Sequence, residues 1–236
     1  MCFHTKITKE EKKLEERFKV AFEDLNIYQK QYHNNGFNYG SQYIISQSNP
    51  HIIQPATWGL IPENESNSEN FRRRYNTLNA RSENIFNSGL FNEPIQKRRC
   101  LIVSDGFYES RHFNKKTYPY LIQYKSKEPF VFAGVYNYHH QYVHTCSILT
   151  IPANPFMSEI HNTKKRMPLI LDSMFEKTWL DDSLDEKNIQ EILKIGFTKS
   201  TLEAYTVSKA VTNSNIESNI QGILNNVVYP ELNTLF

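Results

Sequence analysis

Cys2 stands behind Met1 alone and is one of only three cysteines, with Cys100 and Cys146. If Met1 is removed, Cys2 carries an α-amine and a thiol on adjacent carbons, and cysteine is small enough for the usual methionine-trimming enzymes. Ordinary pKa values of about 7.7–8.0 for the amine and about 8.5 for the thiol leave both nucleophiles partly available near neutral pH. With an aldehyde, the amine forms a Schiff base and the thiolate then closes a five-membered thiazolidine. An internal cysteine cannot do this, because its nitrogen is held in an amide. Position alone leaves a second reading open: an incidental exposed cysteine near a frayed chain end.

Three further stretches carry chemistry-bearing residues. In "LNARSE", Asn79 offers an amide to an amine or a sugar hydroxyl, and Arg81 offers a planar fork to a phosphate. If the segment is extended, the two point to one face; a polar turn with a solvated arginine fits as well. In "SDGFYES", an apolar setting would raise the pKa of Glu109 and suit it to general acid–base work, while Asp105 before Gly106 reads as a turn residue. In "EIHNTKKRMPLIL", His161 could donate a proton or hydrogen-bond an aldehyde oxygen. Alone, each also reads as an ordinary strand carboxylate or loop histidine. The other histidines show no HExxH spacing and the cysteines no CxxC, so no metal and no cofactor is expected.

Basic residues cluster in "FRRRYNTLNARSE" (Arg72, Arg73, Arg74, Arg81, with Phe71 and Tyr75 interleaved), in "QKRRC" (Lys97, Arg98, Arg99) and in "NTKKRMP" (Lys164, Lys165, Arg166). Phosphates attract such clusters and aromatic rings stack on unpaired bases; a solvated charged face is the other reading. The net charge of +2 means that any nucleic-acid site is a local patch and not a property of the whole chain.

These residues need a scaffold. The 236 residues, 39% of them apolar, suffice for one domain with a sizeable core, and we expect a single domain over 1–236. Residues 8–25 read as an amphipathic helix with Thr8 and Glu11 as capping box and Leu14, Phe18, Phe22 and Leu25 on one face. The Asn-, Tyr- and Gln-rich 26–50 reads as mostly loop with a short strand at "YIISQ". Residues 55–70 hold an apolar strand-like piece and then a polar loop. Residues 99–150 read as successive strands with a hairpin tip at "NKKT". Helices are expected from a Ser173–Glu176 capping box and over 185–196, with Gly196 as stop signal, and a last strand over 202–209. The fold class is α+β on antiparallel strands. Sparse, unpaired cysteines and the lack of an apolar leader or long apolar span point to a cytoplasmic protein, neither exported nor membrane-embedded. A monomer is the default expectation.

The order of the blocks says more than any one of them. Cys2, "TWGLIP", "NARSE", "RRCLIVSDGFYES", "FAGVYN", "LTIPAN", "IHNTKKRMPLIL" and "TVSKAV" run from residue 2 to about 211 and closely resemble the SOS-response-associated peptidase family. The resemblance implies a β-rich α+β domain with a basic DNA-binding groove. It implies that Cys2, once terminal, captures abasic sites in single-stranded DNA as a thiazolidine crosslink that shields the lesion. It sets Asn79 beside the Cys2 amine, Arg81 on a phosphate, and Glu109 and His161 in proton transfer; Trp58 and Gly59 match a DNA-facing block. From the basic clusters, Arg74 and Arg166 are added to the expected DNA-binding residues. The family name implies an autopeptidase activity that removes the residue before Cys2.

Two departures stand out. Many relatives begin Cys-Gly-Arg, where this chain has Phe3 and His4, and the usual Trp after the glutamate is Ser110. Two other functions fit the residues: an amidohydrolase in which Cys2 attacks with Glu109 or His161 as base, and a non-catalytic single-stranded nucleic-acid binder.

Overall fold

The computed structural model describes residues 2–24, 26–198 and 201–235; Met1 and Leu25, both used in the sequence reading, lie outside the described residues. The chain opens with β1 (His4–Ile7), α1 (Glu11–Phe18), β2 (Ala21–Phe22), β3 (Gln31–Asn35), β4 (Ser41–Ser46) and β5 (Asn49–Trp58). Next come α2 (Ser68–Arg74), β6 (Asn79–Arg81) and α3 (Asn92–Lys97). Five long strands follow: β7 (Arg99–Ser104), β8 (Gly106–Phe113), β9 (Lys116–Tyr124), β10 (Phe130–His139) and β11 (Val143–Pro152). The last part holds α4 (Pro155–Ile160), β12 (Arg166–Pro168), β13 (Ile170–Leu171), α5 (Ser173–Trp179), α6 (Glu186–Ile195) and β14 (Leu202–Thr206).

The strands make two sheets. One runs β14-β9-β8-β1-β3; the larger runs β12-β11-β10-β7-β4-β5-β2, with β13 on β10 and β6 on β11. Most pairings are antiparallel, so the expected α+β class holds. A parallel pairing of β11 with β5 closes β5, β4, β7, β10 and β11 into a circuit.

Strand alternation in the larger sheet sorts its side chains into two cores. Ile44, Cys100, Ile102, Phe132, Cys146 and Ile148 pack toward Phe107 and Ile122 of the smaller sheet. Their neighbours Tyr43, Ile45, Leu101, Val103, Val131 and Leu149 pack instead against Leu14 of α1, Trp179 of α5 and Ile189 of α6. The first of these cores, between the sheets, contains Cys2.

Several expectations are corrected. The first helix stops at Phe18, because Lys19 takes a left-handed conformation (φ 57°) whose N–H returns to Glu15, and Phe22 belongs to β2. Its apolar period is thus shared between a helix and a strand. Thr8 does not cap α1: the N-cap is Glu10, without a side-chain bond. Ser173 likewise lies inside α5, whose N-cap is Asp172. Residues 26–50 are not mostly loop, because their amides bond within and between strands. Asn34 donates to Gln31 and to the Ser41 carbonyl, and Gln42 donates to Thr5. At the tip between β8 and β9, Asn114 and Lys115 both have positive φ (48° and 61°), the geometry of a tight hairpin turn.

Asp105 does more than turn the chain. Its carboxylate accepts from Lys6 Nζ at 2.9 Å and from Thr8 N and Oγ1 at 3.0 and 2.7 Å. Lys6 and Asp105 are both buried, and this pair clamps β1 to the β7–β8 corner. A Cβ at Gly106 would lie 2.6 Å from Lys6 Cε and 3.1 Å from the Ile122 carbonyl oxygen, so a larger residue there would push on the ion-paired lysine. Asp105→Ala leaves a buried ammonium without its partner, which costs about 3–5 kcal/mol. We expect a large fall in the urea midpoint, mostly recovered when Lys6→Met is added. Equal midpoints for wild type and the single variant would show that the clamp contributes nothing.

Candidate functional site

β1 lies inside its sheet, between β8 and β3, with His4 opposite Tyr108 on one side and Asn35 on the other. That placement carries Cys2 into the seam between the sheets, where it is 0% exposed. The alternative reading of an incidental exposed cysteine at a frayed end therefore does not hold. Burial pushes the thiol well above its ordinary pKa, and the nearby Glu109 charge adds to the rise. From the other sheet, Asn79 Nδ2 donates to the Cys2 carbonyl at 2.9 Å. Asn79 is fixed by the parallel pairing of β6 with β11, opposite Ile148. Its Oδ1 is buried and has no hydrogen-bond partner among the described residues, which leaves an acceptor beside Cys2.

Glu109 sits on β8 and is buried; burial pushes its carboxyl up to about 7. It therefore stands near half-protonation at neutral pH, as a general acid requires. His161 ends α4, with its N–H returned to Met157 at 2.8 Å. Its Nδ1 lies 2.8 Å from the Arg166 carbonyl, which can only accept, so Nδ1 carries the proton and Nε2 the lone pair. Burial holds this imidazole down to about 4. Glu109 Oε2 lies 3.7 Å from Nδ1, within ion-pair distance. Because His161 is neutral at neutral pH, that contact is not an ion pair. Both groups line a hollow of about 210 Å³ together with Phe3, His4, Ser110 and Lys164. An acid poised near neutrality and a neutral imidazole thus face one space beside Cys2.

Asn79 and Arg81 share a second hollow, of about 320 Å³, in which Arg81 is exposed. The extended backbone of β6 puts the two on one face. Arg74 is exposed on α2, 3.7 Å from Glu65, with its guanidinium 5.6 Å from the Tyr75 ring centroid.

Other sequence-predicted DNA contacts lie inside the protein. The Trp58 side chain is fully buried and donates Nε1–H to the Leu78 carbonyl at 2.9 Å. Gly59 is also buried; its φ of 106° and its N–H bond to the Cys146 carbonyl turn the chain out of β5. Both pack against Leu78, the residue before Asn79. Arg166 is buried as well, bonded to both Glu83 oxygens (2.5 and 2.9 Å) and to the Thr150 carbonyl at 2.7 Å. Its fork is engaged, and it serves the site through the carbonyl that orients His161. The "QKRRC" cluster also divides: Arg99 is buried on the carbonyls of Ile95, Gln96, Trp179 and Asp181.

His4 Nδ1 lies 2.9 Å from His33 Nε2, with the rings stacked at 5.0 Å. Burial and then His33 hold His4 down to about 3, so at neutral pH it offers no positive charge. Sequence reasoning singled out neither Lys164 as a lining residue nor Phe37, whose ring lies 4.8 Å from that of Phe3. The available signal was Phe3 itself, next in the chain to Cys2. Among the described residues, no three His, Cys, Asp or Glu gather as metal ligands, and no described helix is long and apolar enough to cross a membrane.

The model of the family described as SOS response associated peptidase (SRAP) matches residues 1–214. The chain is 35% identical over 173 residues to the abasic site processing protein YoaM of Bacillus subtilis (strain 168), covering 71% of this chain and 74% of that protein. It is 32% identical to the abasic site processing protein YobE of the same organism, over 71% of this chain and 76% of that one. An X-ray structure of a protein from Bacteroides thetaiotaomicron superposes with a TM-score of 0.84 at 32% identity, covering 96% of this chain and 100% of that chain. With a family match over nearly its whole length and the same fold in a solved relative, the chain belongs to the SOS response associated peptidase family.

Proposed function

We propose that this chain processes abasic sites in single-stranded DNA by joining them covalently to Cys2 after Met1 is removed. The relatives named as abasic site processing proteins support the substrate class. The observation that carries the chemistry is Cys2, held through its carbonyl by Asn79, beside a buried carboxyl with a pKa of about 7.

An abasic sugar is mostly a closed hemiacetal. Glu109 protonates the ring oxygen while the neutral His161 imidazole takes the proton of the anomeric hydroxyl, and the C–O bond breaks to give the aldehyde. The α-amine of Cys2 adds to that carbon and water leaves, forming the imine. Asn79 Oδ1 is the acceptor that orients the amine. The thiol then adds its sulfur to the imine carbon and its proton goes to nitrogen, closing the thiazolidine. A thiol held protonated by burial makes the amine the first nucleophile and sulfur the second. It also weighs against the amidohydrolase reading, whose first step needs a thiolate. Glu109 can serve the reverse path, so the adduct is slowly self-releasing.

The test is a denaturing gel of the Met-trimmed protein with a single-stranded oligonucleotide carrying one abasic site. A retarded band, absent with an intact oligonucleotide, is expected. No band, with Cys2 confirmed as N-terminal by mass spectrometry, would sink the proposal; turnover of a peptide instead would favour the amidohydrolase.

Arg81, exposed in the hollow it shares with Asn79, is assigned to a backbone phosphate. Arg81→Ala should weaken binding of all sequences alike. It should also lower the steepness of log K against log salt by about 0.7, the loss of one single-strand phosphate contact. An unchanged slope in a salt titration would remove Arg81 from the DNA path.

A further inference from the structure

Phe3 lines the Glu109–His161 hollow, and its ring pairs with that of Phe37, with centroids 4.8 Å apart and tilted by 39°. Phe37 is 51% exposed, a large apolar face left open beside a reactive centre. The pair is built rather than incidental. Gly36 N–H donates to the Phe3 carbonyl at 2.8 Å, and Asn35 Oδ1 accepts from Phe37 N–H at 3.1 Å. Tyr39 ends the turn in the left-handed region, with φ 52°. A Cβ at Gly36 would lie 3.2 Å from both the Phe3 oxygen and the Trp58 ring, so the turn holds Phe37 against β1 by close approach. A ring held in place before binding loses little entropy when a partner stacks on it.

We infer that Phe3 and Phe37 form the stacking platform for the nucleobase next to the abasic site, which makes them specificity-determining residues of the crosslinking reaction. This rests on the abasic-site reading above. An abasic sugar has no base, so it cannot fill an aromatic face itself. Adjacent Cα atoms are about 3.8 Å apart, so a sugar bonded to Cys2 lies within one residue of the Phe3 ring. The base of a neighbouring nucleotide is the flat apolar group that a strand joined at Cys2 brings to such a platform. Every base has a π-face, so the platform selects single-stranded, unstacked DNA and not a sequence. Lys164, exposed on the same hollow, supplies a cation for the intervening phosphate.

The experiment is a cycle on the second-order crosslinking rate, measured on denaturing gels at DNA concentrations well below saturation. Three oligonucleotides carry one abasic site. One has natural neighbours; in the others the 5′ or the 3′ neighbour is a tetrahydrofuran spacer, which has neither base nor aldehyde. On natural DNA, Phe37→Ala should slow crosslinking roughly 10-fold, in keeping with a base–aromatic contact. Phe37→Leu should be similarly slow and Phe37→Trp near wild type. On one of the two spacer oligonucleotides the wild type should slow by the same factor, and Phe37→Ala should then add nothing. If Phe37→Ala has the same effect on all three DNAs, or none on any, the platform is overturned while the crosslinking reading stands. If the wild type crosslinks none of them, both are overturned.

Discussion

Cys2→Ala leaves no adduct that survives denaturation, whereas the wild-type protein gives a discrete retarded band; this is the largest effect we expect. Alanine at this position keeps an α-amine, so a reversible Schiff base still forms. Borohydride reduction should trap it, and without reduction the strand should break instead of being shielded. What the variant lacks is the sulfur that closes the ring. Cys2→Ser should resemble it, because oxygen is the poorer partner in ring closure. One uncleaved residue added before Cys2 should be as damaging as either substitution, since it turns the amine into an amide and leaves the thiol untouched. Cys2 is wholly buried, so circular dichroism on each variant must first show an intact fold. Normal crosslinking by the extended protein would overturn the aminothiol mechanism, whatever the alanine variant does.

Glu109→Gln is expected to slow crosslinking by about 10²–10⁴-fold, the usual contribution of a positioned general acid. It should also change the pH profile. In the wild type, burial holds the carboxyl at about 7, so the acid form is lost and the ring-opening rate falls as pH rises through that value. Glutamine has nothing to lose there, and its profile should keep only the limb set by the amine. Stability of the wild type falls over the same pH range. The folded-state pKa lies above the ordinary 4.5, so the fold binds this proton more tightly than the unfolded chain does. The resulting stabilisation is present below about 4.5 and is lost as pH rises through about 7. At pH 8 the ionised carboxylate costs the wild type on the order of 3 kcal/mol. Glu109→Gln should therefore melt higher than wild type at pH 8 and lose that advantage at pH 4. Identical pH–rate profiles for the two proteins would exclude Glu109 as the acid.

The strand-rich middle of the chain was legible because its alternation is local. Ile102, Phe132 and Ile148 face one core while Leu101, Val131 and Leu149 face the other, as period two requires. The segment 26–50 was not, because amide-rich strands look like loops until the groups they bond are known; Gln42 finds Thr5 only in the folded sheet. The candidate site residues stood out through their types and the order of their motifs. Their surroundings were not. Arg166 looks like a phosphate ligand in "NTKKRMP" and becomes a buried brace because Glu83, distant in sequence, meets it in space. Trp58 matches a DNA-facing block by motif, yet its ring is fully buried and its N–H is taken by Leu78. Nor does composition reveal that an end residue such as Cys2 is enclosed. That follows from β1 being paired on both edges, a property of topology and not of the six letters "MCFHTK".

The two-sided pairing of β1 also has a mechanical meaning. A DNA strand attached at Cys2 would be anchored to a strand flanked by β8 and β3 and pinned at Lys6 by Asp105. A polymerase or helicase pulling on that DNA would meet no slack tail to unravel first. The load would pass along β1 into the hydrogen bonds of both neighbours together, in the direction of strand sliding, where many bonds must yield at once. The anchorage would thus resist tension as a single body, and release would depend on chemistry at the adduct instead of peeling of the protein's end.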